Sequence, residues 1–90
     1  VLITGKAERD FYKWLFEKHN LQPYNIFNRI FTNALIIEWF DSVGIYINII
    51  GYSKTKWRVL VRSNYDEYFN SRQQATEEAI KKANEIYNKE

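Results

Sequence analysis

Residues 70–87 constrain the fold more than any other part of the chain. Ser71 can cap a helix, with Gln74 three residues later as its reciprocal partner. Ala75, Ala79, Ile80, Ala83, Ile86 and Tyr87 then recur at helical spacing and define one apolar face. Half of those positions are alanine, so the helix can lie close to the layer it covers. On the other side, Glu77 with Lys81 and Glu78 with Lys82 are i,i+4 pairs in the favourable order. Such pairs add roughly 0.2–0.5 kcal/mol each and mark a solvated face. A helix of this kind needs a sheet or a second helix beneath it.

The layer for it to cover lies directly upstream. Residues 45–50 are rich in β-branched isoleucine and read as a strand. Residues 51–56 are polar enough to turn the chain. Residues 57–62 form the clearest strand, with Trp57, Val59 and Val61 on one face. Residues 63–66 turn again, and residues 67–69 make a short third strand. Such short loops favour an antiparallel meander. Residues 6–19 read as a first helix on the spacing of Ala7, Phe11, Trp14, Leu15 and Lys18. Thr4 can cap its start, and Asn20 suits the left-handed position that ends it. Leu21, Gln22, Pro23 and Tyr24 follow as a linker broken by the proline.

Residues 25–43 are the harder segment. Ile26, Phe27, Ile30, Phe31 and Ala34 form one helical stripe; Ile36, Trp39, Phe40 and Val43 form a second on another side. Two apolar sides imply a helix contacted from two directions, or two short helices broken near Thr32 and Asn33. Gly44 would sit just past the helix end. The rival reading makes residues 35–40 a strand and residues 41–44 a hairpin turn. Helix is the better fit. Valine suits the third turn position poorly, and Glu38 would share a strand face with Ile36 and Phe40. One local echo links Trp14 to Leu21 with Trp39 to Ile45. Each is an aromatic helix end, a left-handed cap and an apolar exit. The whole chain of 90 residues therefore reads as one small α+β domain. It has a helical N-terminal half, a three-stranded antiparallel β-meander and a C-terminal helix packed on the sheet.

Several chemistries find no support in the residues. The chain has no cysteine and one histidine, His19, which leaves no thiolate site and a poor set of metal ligands. His19 reads as an end-of-helix residue favoured by the helix dipole. Three scattered glycines build no phosphate loop. Asp10, Glu17, Glu38 and Asp41 are the carboxylates near dense apolar surface. Glu38 between Ile37 and Trp39 is a candidate for a raised pKa, although a solvated edge is its simpler placement. No catalytic residue, cofactor or metal is expected, and an enzyme is not. No apolar run reaches the 18 or so residues that span a bilayer, and residues 1–5 are too short for a signal-peptide core. The first residue is Val1 rather than Met, so leading residues are expected to be missing or removed. Absent cysteine suits a reducing cytoplasm.

Aromatic content is the anomaly: seven Tyr, six Phe and three Trp. The core can take much of this, because each ring buries a large area. Tyr12, Tyr24, Tyr46, Tyr52 and Tyr65 are expected near the surface, and tyrosine is enriched in interfaces. Tyr46, Tyr52 and Tyr65 are the interface candidates. With 13 basic and 11 acidic residues, a net charge of +2 does not by itself imply a nucleic-acid partner. Lys54, Lys56, Arg58 and Arg62 nevertheless cluster on the turn and middle strand. Arg58, Leu60 and Arg62 alternate opposite Trp57, Val59 and Val61, with Tyr46 or Tyr52 as stacking partners. The element order is similar to that of double-stranded RNA-binding domains, in order alone. Those domains start their last helix with lysines, and here Arg72 is followed by Glu77 and Glu78.

Three stretches carry a further resemblance. They are Thr4-Gly5-Lys6-Ala7 with Asp10, Phe11 and Trp14; Trp39-Phe40-Asp41-Ser42-Val43-Gly44-Ile45 with Ile47; and Ser71-Arg72 with Ala75, Ala79-Ile80 and Lys82-Ala83-Asn84-Glu85-Ile86-Tyr87-Asn88. The chain resembles short, uncharacterised proteins carried by phages and prophages of Bacteroides-type gut bacteria. The match covers both ends and the middle, about a third of the positions. The resemblance implies expression in the cytoplasm of a bacterial host and a small accessory or regulatory role. It assigns no site residues, and it supports helix over hairpin for residues 33–43. The expected function is a non-enzymatic module that binds a protein partner or itself, a homodimer being the simplest case. Nucleic-acid binding through Lys54, Lys56, Arg58 and Arg62 is the alternative. No membrane association or small-molecule substrate is expected.

Overall fold

The three alanines of the last helix are buried in one core with the central strand. The computed structural model describes residues 2–22, 28–63 and 65–90. Along the chain run helices α1 (Gly5–His19) and α2 (Arg29–Ser42), strands β1 (Ile47–Ser53), β2 (Lys56–Val61) and β3 (Tyr65–Phe69), and helix α3 (Arg72–Lys89). The strands form one antiparallel sheet in the order β1-β2-β3, as two short turns require. In α3, Ala75, Ala79, Ile80 and Ala83 are fully buried, as are Val59 and Val61 of the central strand. Trp57 is half-buried against the same core. The expected α+β architecture is therefore the observed one.

Local sequence explains most of the element ends. The Ser71 hydroxyl accepts from the Gln74 amide at 3.1 Å, which caps α3. The Gln74 side chain returns to the amide of Asn70 (3.3 Å), one residue before the usual capping-box target. Asn28 caps α2 by accepting from the Phe31 amide at 3.0 Å. Helix α1 ends at Asn20 with φ 54°, and α2 is followed by Gly44 with φ 84°. Both left-handed residues lead to an inward apolar side chain, Leu21 half-buried and Ile45 fully buried. The echo between the two helix ends is thus one cap used twice.

The expectations for α2 and for the ion pairs of α3 need correction. Helix α2 is continuous through Thr32 and Asn33, and it is buried from one side only. Leu35, Ile36, Trp39 and Phe40 enter the core, while Ile30 and Phe31 of the other stripe remain 79% and 50% exposed. Glu77 and Glu78 also choose other partners. Glu77 takes Arg29 of α2 at 3.5 Å, and Glu78 takes Lys81 at 3.6 Å. Lys82 pairs with Glu85 at 3.4 Å. These long side chains reach whichever carboxylate the packed structure brings nearest. Pro23 and the start of the first stripe, Ile26 and Phe27, lie outside the described residues.

The N-terminus of α1 is capped from the far end of the chain. Thr4 occupies the cap position, but against expectation its side chain does not cap the helix. Asn88 accepts from the Ala7 amide at 2.8 Å and donates to the Thr4 carbonyl at 2.9 Å. Asn84 accepts from the Thr4 amide at 2.9 Å and donates to the Thr4 hydroxyl at 3.2 Å. Nearby, the Tyr87 hydroxyl donates to Asp10 at 2.5 Å, and the Tyr87 ring meets the edge of Trp39 at 4.8 Å. Phe11 lies 5.9 Å from Trp39, so the three helices share one aromatic cluster. His19 and Glu38 join α1 to α2 at 2.9 Å on the exposed rim.

Two measurements check this packing. Ala79→Leu adds bulk where α3 meets the sheet and is expected to lower stability by about 1–3 kcal/mol, read by denaturant titration. The Tyr87–Asp10 bond predicts an alkaline loss. Burial, then the bond to Asp10, pushes the Tyr87 hydroxyl from 10.0 up to about 12. A folded pKa above the unfolded one stabilises fully below pH 10.0, and that share is lost as pH rises through about 12. Denaturation midpoints should therefore fall across that window, and the fall should shrink in Tyr87→Phe.

Candidate interaction face on the sheet

Helix α3 covers one face of the sheet and leaves the other open. Strand alternation then divides the residues. Ile47, Ile49, Trp57, Val59, Val61, Tyr65 and Phe69 pack with the core. The remaining positions form two cross-strand rows on the open face. One row is Ile50, Arg58 and Tyr68; the other is Asn48, Leu60 and Asp66. Tyr52 extends the β1 edge of this face, and Tyr46 continues its alternation just before the strand begins.

Aromatic and basic groups converge at one end. The Tyr52 and Tyr68 rings are 6.2 Å apart across β2. Lys56 Nζ lies 5.0 Å from the centre of Tyr68 and 5.7 Å from that of Tyr52. The Arg58 guanidinium is 5.9 Å from Tyr68. Arg58 also grips Asp66 with two bonds, Nε to Oδ1 at 2.9 Å and Nη2 to Oδ2 at 2.7 Å. That bidentate pair fixes the guanidinium plane on the sheet surface. It holds the Asp66 carboxyl below its ordinary range and pushes Arg58 up. Ile50, Tyr52, Tyr68 and Tyr46 are 38%, 54%, 51% and 59% exposed. An open sheet face usually carries polar residues, and large apolar groups stand here instead.

The expected site residues separate into three groups. Tyr46 and Tyr52 lie on the open face. Tyr65 does not; it is half-buried on the covered side beneath Lys82, whose Nζ is 5.5 Å from the ring. Lys56 and Arg58 are together, and Lys54 lies in the adjoining turn, where its carbonyl accepts from the Trp57 indole at 3.4 Å. Arg62 departs from the expected basic stripe. Its φ of 53° ends β2 and breaks the alternation. The side chain meets Glu90 at the end of α3, at 2.6 and 3.1 Å. Glu90 accordingly lies below its ordinary range. Tyr12 is half-buried, and Tyr24 lies outside the described residues.

Tyr68 was absent from the sequence-based candidates although it faces Arg58. The signal was the alternation in β3, which places Tyr68 opposite the inward Tyr65 and Phe69. Gly51 has a separate role on the covered side. A Cβ there would stand 2.6 Å from the Trp57 indole, so the strand needs glycine for the ring to lie across it. Arg72 stacks on that same indole at 4.7 Å.

Among the described residues no cluster of His, Cys, Asp or Glu could hold a metal ion, and no helix is long and apolar enough to cross a membrane. No family model, curated protein or solved structure matches the chain. If Arg58 is what depresses Asp66, a carboxyl NMR titration should place the Asp66 midpoint below 3.8. Arg58→Gln should move that midpoint back up, while an unchanged midpoint would assign the depression elsewhere.

Proposed function

We propose that this domain is a non-enzymatic interaction module that binds a protein partner or a second copy of itself through the open sheet face. The observation that carries the reading is the exposure of Ile50, Tyr52 and Tyr68 together on one side of the sheet. These residues bury apolar area on contact, and tyrosine does so with few rotatable bonds. Arg58 is held flat by Asp66 and adds a preordered polar centre. The resemblance to short phage and prophage proteins supports an accessory role in the cytoplasm of a bacterial host.

Size sets the strength of such contacts. A face three strands wide and about six residues long spans roughly 14 by 20 Å. That is small beside the roughly 800 Å² per partner of a standard interface. Self-association is therefore expected to be weak, near the micromolar range or above.

A second reading rests on Lys56, which sits over both tyrosine rings. Bases could stack on Tyr52 and Tyr68 while Lys54, Lys56 and Arg58 meet phosphates. Asp66 already neutralises Arg58, and Arg62 is engaged by Glu90, which weakens this reading beside the first. Lys54 and Lys56 have no carboxylate partner among the described residues, and two phosphate contacts give an expected salt slope for a single strand of only about −1.4.

Sedimentation velocity from about 10 µM to about 1 mM brackets the affinities expected of weak contacts. Self-association that rises with concentration and is lost in Tyr52→Ser/Tyr68→Ser supports the first reading. A strict monomer that also captures no host protein in a pull-down overturns it. Retention of labelled single-stranded DNA at low salt, lost in Lys56→Gln, would favour the second.

A further inference from the structure

Away from the sheet, a groove of about 440 Å³ lies between α2 and the first turns of α3. Its wall is apolar, formed by Ile30, Ala34 and Ile37. Arg29 and Arg72 line it as well, each the first residue of its helix. Neither helix has an acidic residue in its first turn, where acids normally balance the dipole. Two helix N-termini and two guanidinium groups therefore add positive potential at one place. Arg29 has one long contact, 3.5 Å to Glu77, and is otherwise exposed. Arg72 has no carboxylate partner among the described residues, and its stacking on Trp57 leaves its N–H edge available.

Asn33 supplies an independent observation. It lines the groove and is 8% exposed, yet its amide has no hydrogen-bond partner among the described residues. Among these residues no fully buried side-chain polar atom lacks a partner. The Asn33 amide therefore keeps some exposure, on a residue that lines the groove. Two donors and one acceptor are thus left to water on a residue that is otherwise buried, and a ligand with a carbonyl or N–H group can bond them.

We propose that this groove binds an acidic peptide segment of a partner protein, one that presents a carboxylate beside an apolar side chain. The apolar side chain lies against Ile30, Ala34 and Ile37. The carboxylate meets Arg29 and Arg72 at the two helix N-termini. Asn33 bonds the peptide backbone between them. The groove has room for two or three side chains, and its mixture of an apolar wall with a few convergent polar groups is that of a ligand site. It lies on the helical side of the molecule, so its occupancy is independent of the open sheet face.

The test uses the full chain labelled with nitrogen-15 and an acetylated, amidated peptide of sequence Ala-Leu-Glu-Leu-Ala. A matched peptide carries Gln in place of Glu. Saturable shifts at the Asn33 side-chain amide are expected, with binding weakened at least about tenfold for the Gln peptide and for Arg29→Gln/Arg72→Gln. Asn33→Ala should weaken both peptides, and its backbone spectrum reports whether the fold is kept. Equal binding of the two peptides, or no shift at Asn33 up to solubility, overturns the proposal. So do shifts confined to Tyr52 and Tyr68, or equally strong binding of octanoate, which would point to a free amphiphile.

Discussion

The close seating of α3 on the central strand is the contact on which the other elements depend. α3 touches all three strands and both other helices. The alanines at 75, 79 and 83 are buried in one core with Val59 and Val61, and their small side chains let the helix lie close to the strand. Larger residues would lift it, and the aromatic cluster of Phe11, Trp39 and Tyr87 would lose its third side. The same helix carries Asn84 and Asn88, which complete the first turn of α1. One segment thus closes the sheet, caps a distant helix and completes the aromatic core.

That arrangement also decides which surfaces stay open. A three-stranded sheet with a single covering helix has one uncovered face. The chain places Ile50, Tyr52, Leu60 and Tyr68 there rather than a fully polar set. On the helical side, the core takes the Leu35, Ile36, Trp39 and Phe40 stripe of α2, and Ile30 and Ala34 remain at the edge of a groove. Both surfaces follow from one helix doing the work of a full layer.

Much of this was legible in the residues. The spacing of Ala75, Ala79, Ile80 and Ala83, the Ser71 cap, the Asn20 and Gly44 ends and the alternation of Trp57, Val59 and Val61 all encode short-range geometry. Backbone periodicity translates them directly into faces. The errors fell where periodicity has nothing to say. The exposed stripe of α2 was apolar enough to pass for core, because a pattern shows that a face is apolar but not that anything covers it. Arg62 kept the alternation in sequence and lost it in space, because one positive φ redirected its side chain toward Glu90.

Short-range order therefore belongs to the residue pattern: which segments coil, which extend, and which side of each is apolar. Pairings across the chain do not. That Asn88 would cap α1, that Tyr87 would bond Asp10, and that Tyr65 would turn inward while Tyr68 faced water all depended on how the three layers came to rest. The reason is physical. A helix or strand repeats within a few residues, whereas a hydrogen bond between positions some eighty residues apart exists only once packing has brought both ends to the same place.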